Sequence, residues 1–315
     1  MEYPLISVIV LIYRNYLEAG RTIQSILAQD YPNIEIIVSD DASNDFPMDE
    51  LKSQLMRDAG QNVKRILTRQ NDENLGTVKH INLAASFAQG RYIKFLAPGD
   101  VFYNMNSLKS LYYFIIDKHE ILITSVASVT SPDGQEEYYK FPSERRVKVL
   151  NATPTKNLFS KLAFCNIIAA EGVLFHCSFF RLEEGMDEAY KLLEDWPLWL
   201  RVTRENKRIP CLDQVTVKYA LGGVSSSAGT AFESEKLRKD MILCYEKEVL
   251  PYWDRLSISS RFFCSYEYKK LKFYGTYSKY EKIVFLMRYF PYEAYRWGKA
   301  VLKKFIIVTI HRIRG

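Results

Sequence analysis

The chain has 315 residues, 48% of them hydrophobic and 25% charged, with a formal net charge of +6. That composition fits a globular protein with one large core, or a main domain plus an appendage, and excludes a chain dominated by disorder. Its five cysteines, an odd number with no Cys-x-x-Cys pair, argue against a disulfide framework or a zinc site and for buried thiols. Leu5 to Ile12 is apolar except for Ser7, but Glu2 precedes it, and neither a basic segment nor a small-residue cleavage site flanks it. It therefore reads as a buried strand and not as a signal peptide. No stretch reaches the ~18 to 20 apolar residues of a spanning helix, so any membrane contact is expected to be peripheral.

In chain order, Ile6–Ile12 predicts a strand, Leu17–Gln29 an amphipathic helix, Ile34–Ser39 and Val63–Thr68 two further strands, Leu75–Ala88 a helix stopped by Gly90, and Tyr92–Leu96 a fourth strand. Apolar strands alternating with helices predict an α/β fold, with a mostly parallel sheet covered by helices on both faces. Ligands of such sheets lie beyond the carboxyl ends of the strands. Asp40, Asp41, Ser43, Asn44 and Asp45 follow the second strand there, and Pro98, Gly99 and Asp100 follow the fourth. Further on, Leu122–Thr130 and Val215–Tyr219 read as strands and Trp196–Arg204 as a helix. Residues 222–229, rich in Gly and Ser, read as a mobile loop, and the chain beyond Glu233 reads as helical. The expected division is 1–100, 101–232 and a helical region 233–315.

Neither Gly-x-Gly-x-x-Gly after the first strand nor Gly-x-x-x-x-Gly-Lys-Ser/Thr is present, which disfavours dinucleotide oxidoreductases and P-loop enzymes. A diphosphate held without a glycine-rich loop can be held by a divalent cation on an aspartate, and hard oxygen ligands suit Mg²⁺ or Mn²⁺. Four pieces then occur in order: Ile6–Tyr13 with Ile36 to Asp45; Glu73-Asn74-Leu75-Gly76 with Asn82, running into Gly90 to Leu96; Ala97-Pro98-Gly99-Asp100; and Met186-Asp187-Glu188 followed by Leu193-Glu194-Asp195 and Trp199-Leu200-Arg201. Over residues 5 to 229 this series resembles the family 2 inverting glycosyltransferases of GT-A fold.

The resemblance implies roles. Asp41 would hydrogen-bond the nucleotide base, uracil above all, with Tyr13 and Asn82 also on the nucleotide; an Asx turn capping the next helix is the rival reading of Asp41. Asp100 would bind Mn²⁺ or Mg²⁺, although Ala97 and Gly99 stand where the family commonly has carboxylates. A Pro-Gly turn with a capping Asp is the rival reading there. Asp195 would be the base that takes the acceptor's proton, or else the N-cap of the following helix. Glu194 and Arg201 would lie toward acceptor or sugar, whereas Lys79 and His80 read rather as solvated or structural side chains. The implied activity is transfer of a sugar from a nucleotide-sugar, a UDP-sugar above all, to a glycan or lipid-linked acceptor in cell-surface polysaccharide assembly. Nucleotidyl transfer and a degenerate sugar-nucleotide-binding scaffold are the competing classes.

Residues 255–315 carry 14 Lys/Arg against 3 Asp/Glu, a net of +11, leaving −5 on everything before. Aromatics interleave with these cations, including Tyr266, Phe273, Tyr289 and Trp297. That pattern predicts a helix lying on an anionic membrane surface, with a helical appendage that covers the main domain or forms a dimer as the rival reading. The expected location is cytoplasmic, on the inner face of the plasma membrane. No nucleic-acid motif accompanies the basic residues, so nucleic acid is not an expected partner.

Overall fold

A computed structural model describes residues 3–182, 185–221, 235–273, 278–292 and 294. The predicted Gly/Ser-rich loop and the end of the basic region, including Trp297, lie outside these residues. In chain order the elements begin with β1 (Ile6–Ile12), α1 (Tyr16–Leu27), β2 (Ile34–Asp40), α2 (Met48–Asp58), β3 (Val63–Gln70), α3 (Thr77–Ser86) and β4 (Tyr92–Leu96). They continue through β5 (Val101–Phe102), α4 (Ser107–Lys118), β6 (Leu122–Thr130), β7 (Glu137–Phe141), α5 (Glu144–Ala152) and α6 (Thr155–Phe164) to a 3-10 turn at Ala170–Gly172. β8 (Leu174–His176), α7 (Ser178–Leu182), α8 (Asp195–Arg204), β9 (Cys211–Ala220), α9 (Glu235–Cys244) and α10 (Ile258–Phe273) follow.

Nine strands form one sheet in the order β3-β2-β1-β4-β8-β6-β9-β5, with β7 paired antiparallel to the later part of β6. β3, β2, β1 and β4 run parallel, so their carboxyl ends share one edge. β8 pairs antiparallel with both β4 and β6, whereas β6 and β9 are parallel; the second half of the sheet is therefore mixed. In β1, Ile6, Val8, Val10 and Ile12 join one cluster with Ala19, Ile23 and Ile26 of α1 and Leu108, Leu111 and Ile115 of α4. Ile9 is equally buried but, by the two-residue period of a strand, faces the opposite side, where α3 packs. Burial on both faces is why β1 is apolar but for Ser7; in β2, also buried throughout, Glu35 is paired with Arg65.

The chain divides into two compact units, Met1–Ser257 and Ile258–Gly315. The first runs 25 residues beyond the expected boundary at 232, because residues 235–257 pack into it. The rings of Trp196 and Tyr245 meet edge to face at 5.3 Å, Arg204 pairs with Glu248, and the Ser257 N–H donates to Ser160 Oγ at 2.9 Å. In the second unit, α10 and the helical stretch 279–292 share an aromatic core of Tyr266, Phe285 and Tyr289, flanked by Phe273 and Tyr292. The interleaved cations lie over these rings: Lys270 over Tyr266 at 5.4 Å, Lys282 over Phe273 at 5.4 Å.

Candidate active site

The carboxyl edge of the parallel strands gathers the first group. Just beyond β1 and β2, Arg14, Ala42 and Asp45 all adopt positive φ (62°, 61° and 55°), a strained backbone of the kind that concentrates at functional sites. The Arg14 N–H donates to Ser43 Oγ at 2.6 Å, tying the two loops together, and the Arg14 guanidinium lies 4.9 Å from the centre of the exposed Tyr13 ring. Asp40 is wholly buried; its carboxylate accepts from Ser43 N–H and Oγ and from Gln70 Nε2, so it shapes the loop. Asp41, 2% exposed, accepts from Asn71 Nδ2 at 2.7 Å and from the N–H groups of Leu75 and Gly76 at 3.0 Å each. Its carboxylate thus pins the 71–76 loop. Gly76 reaches it at φ +80°, which a side chain would resist.

Asn82, expected on the nucleotide, spends its amide elsewhere. Its Nδ2 donates to the Met186 carbonyl at 2.8 Å and to Glu188 at 3.1 Å, and its Oδ1 accepts from Met186 N–H at 2.9 Å. It clamps the segment leading toward Glu194 and Asp195. Arg201 likewise donates to the Gly185 carbonyl and lies over the Phe179 ring. His80 is buried against Ser39 Oγ at 2.8 Å, and burial lowers its pKa, so it is a neutral structural side chain. Lys79 is exposed.

The second group is mostly acidic, with one buried lysine. Asp100 is 4% exposed; Oδ1 accepts from Ala220 N–H at 3.1 Å, and the backbone of Ala97 also stabilises the carboxylate. Burial first, then the charge of Glu171, push its pKa up to about 8, against the opposing Ala220 N–H and Lys94. Lys94, fully buried on β4, donates to the carbonyls of Phe95 (3.1 Å) and Glu171, and burial brings its pKa down to about 8. Glu171 escaped the sequence reading. It sits on the 3-10 turn, which is locked to β6: Ser125 Oγ donates to the Gly172 carbonyl at 3.1 Å, and Thr124 Oγ1 donates to the Ala169 carbonyl at 3.0 Å.

Glu194 immediately precedes α8 and Asp195 opens it. Asp195 does not cap the helix through its side chain. Instead Oδ2 accepts from Asn166 Nδ2 at 2.7 Å and Oδ1 from the adjacent Trp196 N–H at 2.5 Å. Burial raises the pKa of Asp195 against these donors and against the Trp199 indole N–H, which lies toward the carboxylate with no closer partner. Glu194 is pushed up to about 8 by burial, then by Asp195, with Glu171 and Asp240 adding to it. Glu171, Glu194 and Asp195 are nevertheless only half-buried, and Glu194 lines a cavity with Asp187, Tyr190 and Arg201. Glu171 acts electrostatically on Asp100, Glu194 and Lys94, and Asp195 acts on it in turn. It therefore links the Asp100 side of the site to the Asp195 side. Among the described residues no three His, Cys, Asp or Glu side chains form a ready-made metal cage.

The aspartate after β4 and the raised-pKa carboxyl pair at the start of α8 thus belong to one electrostatic cluster, joined by Glu171. The family model described as glycosyl transferase family 2 matches residues 7–180, more than half of the chain. An uncharacterized glycosyltransferase of Haemophilus influenzae is 25% identical over 256 residues, 78% of this chain and 76% of its own. The UDP-Glc:alpha-D-GlcNAc-diphosphoundecaprenol beta-1,3-glucosyltransferase WfaP of Escherichia coli is 25% identical over 224 residues, 71% of this chain and 80% of its own. Among solved structures, S. aureus TarS superposes with a TM-score of 0.56 at 18% identity, covering 87% of this chain and 44% of that one. A structure of its residues 1–349 contains UDP-GlcNAc, with a TM-score of 0.53 at 17% identity, covering 86% of this chain and 73% of that one.

Proposed function

The chain belongs to glycosyl transferase family 2, and from that premise we propose that it moves a sugar, with inversion, from a UDP-sugar to a hydroxyl of a lipid-linked glycan. The observation that carries this reading is a pair of carboxyl groups coupled through Glu171: Asp100 after β4, and Asp195 held by Asn166 at the start of α8. Inversion requires a base that deprotonates the attacking hydroxyl while the diphosphate departs from the other face. Asp195 is that base. Asn166 and the Trp196 N–H orient its carboxylate, and its raised pKa suits proton acceptance near neutrality better than an ordinary aspartate would. Glu194 shares the titration of the pair and faces the cavity that Asp187 and Arg201 also line.

The donor set suits Mn²⁺ or Mg²⁺ as a single protein ligand. Asp100 Oδ2 is a hard oxygen, and these cations take one or two carboxylates and complete their shells with substrate phosphate and water. Bound there, the cation would neutralise charge on the leaving diphosphate. The base-binding end lies around Tyr13 and Asp41. A UDP donor is supported by the UDP-GlcNAc complex of TarS, and an undecaprenol-linked acceptor by the name of the WfaP relative.

The acceptor's lipid would bring the enzyme to the inner face of the membrane. No helix among the described residues is long and apolar enough to cross one. Along 279–292, Tyr280, Ile283, Met287 and Phe290 are exposed at helical spacing, opposite the buried Phe285 and Tyr289. This face, within a region of net charge +11, fits an anionic surface.

The test is release of UDP from a panel of UDP-sugars, with and without Mn²⁺, together with calorimetry of UDP binding. One UDP-sugar should turn over, and binding should collapse in EDTA and in Asp100→Ala. Binding undiminished in EDTA would remove the cation, and no turnover of any donor would remove the activity.

A further inference from the structure

We propose that Asp240 is a positioning residue for the transfer reaction, holding the backbone that carries Glu194 and Asp195 in register with the cleft. Residues 191–194 belong to neither helix nor strand, so their N–H groups have no ladder to join. Three of them converge on one oxygen. Asp240 Oδ2 accepts from Lys191 N–H at 2.9 Å, Leu192 N–H at 2.7 Å and Leu193 N–H at 3.1 Å. Successive amides turned toward one anion form a nest, and bonds to a carboxylate are the strong kind. Asp240 is 5% exposed, so water competes little for these contacts.

The anchor comes from 47 to 49 residues away in the chain. Asp240 lies on α9, whose continuation at Tyr245 and Glu248 is fixed against Trp196 and Arg204 of α8. The segment that begins at α9 thus grips the catalytic pair from both sides, through the amides before Glu194 and through α8 after Asp195. A carboxylate that must meet a hydroxyl within hydrogen-bond reach depends on such a grip, because a misplacement of about 1 Å can cost ~10²-fold in rate. Asp240 also contributes charge. The groups facing Glu194 are Asp195, Glu171 and Asp240, with Asp187, Arg201 and Glu248 around the same cavity.

The inference rests on the proposed transfer reaction, and its test separates the two. Asp240→Asn keeps the size but removes the charge. It should lower kcat by about 10- to 100-fold while leaving the affinity for UDP within about twofold, since the nucleotide side of the site is built from β1, β2 and β3. With one negative charge fewer, the acidic limb of the pH–kcat profile should move to lower pH. Hydrogen exchange should show the amides of Lys191, Leu192 and Leu193 losing protection while those of β1 keep theirs. Asp240→Glu, which retains the charge, should restore the acidic limb and part of kcat, and it serves if the amide variant does not fold. Unchanged kcat and pH profile in Asp240→Asn would overturn the proposal, as would a loss of UDP affinity in step with a lowered Tm, which marks a residue that only supports the fold. Failure of the transfer reading looks different: the wild-type protein turns over no donor, whatever the three amides do.

Discussion

Asp195→Asn separates chemistry from architecture. The amide keeps the size and one of the two bonds, to Asn166 or to the Trp196 N–H, but cannot take a proton, so turnover should fall ~10²- to 10⁴-fold with UDP affinity nearly unchanged. Retention of more than half the activity would place the base elsewhere. The pH dependence follows from the same pair. Burial raises both carboxyls, Glu194 to about 8, so activity present when the pair is ionised should be lost as pH falls, with its acidic limb well above the ordinary carboxylate range. Asp41, Asp100 and Asp195 could be singled out in the sequence because they stand in ordered motifs, the first two just after apolar strands and the third at the start of a helix. Glu171, Lys94 and Asp240 could not: each acts through a partner far away in the chain, and nothing in its local pattern separates it from a solvated charge. Asn82 was legible as a motif residue, but that it clamps Met186 could be read only from the tertiary contact.

At the level of elements, the sequence separates the long buried strands well and the short antiparallel ones poorly. β1, β2 and β4 are apolar runs bounded by turns, and the observed spans fall within a residue of the expected ones. β5 and β8 have two and three residues, too short for any period, and exist because β9 and β4 pair with them. α4 to α6 carry part of the core, yet they follow no strand pattern that would have announced them. The 3-10 turn shows how much a short element can decide. A Cβ on Gly172 would lie 2.6 Å from the Ser125 carbonyl oxygen, so the turn must move to admit one, and Glu171 and the carbonyl that Lys94 binds move with it. Gly172→Ala should therefore cost about 1 to 3 kcal/mol of stability, as overpacking does. It should also reduce kcat by more than the fraction of protein lost, measured by thermal unfolding beside turnover on the same sample. A stable variant with full activity would mean that the turn need not be held in place.

For the molecule as a whole, the composition announced a basic, aromatic end but not where the catalytic unit stops. Helicity after Glu233 was legible, whereas the allegiance of 235–257 to the first unit was not, because it depends on Asp240, Tyr245 and Glu248 finding partners fifty residues back. A chain ending near Ser234 should therefore lose turnover, whereas one ending at Ser257 should keep UDP binding and donor turnover, since the compact unit is then whole. The same pair of lengths tests the membrane reading. Each Lys or Arg near an anionic surface contributes about 1 kcal/mol, and the net charge of +11 after residue 254 leaves enough for attachment even if only a handful face the lipid. The exposed row Tyr280, Ile283, Met287 and Phe290 supplies the apolar part. In flotation with phosphatidylglycerol vesicles, the full chain should float at low salt and be released by high salt, as screening requires of charge-led binding. Replacing Met287 and Phe290 by Ser should weaken flotation without touching donor turnover, and the chain ending at Ser257 should stay in the bottom fraction. If the full chain ignores these vesicles at low salt, the exposed row does not bind lipid, and acceptor recognition must be carried by the first unit alone.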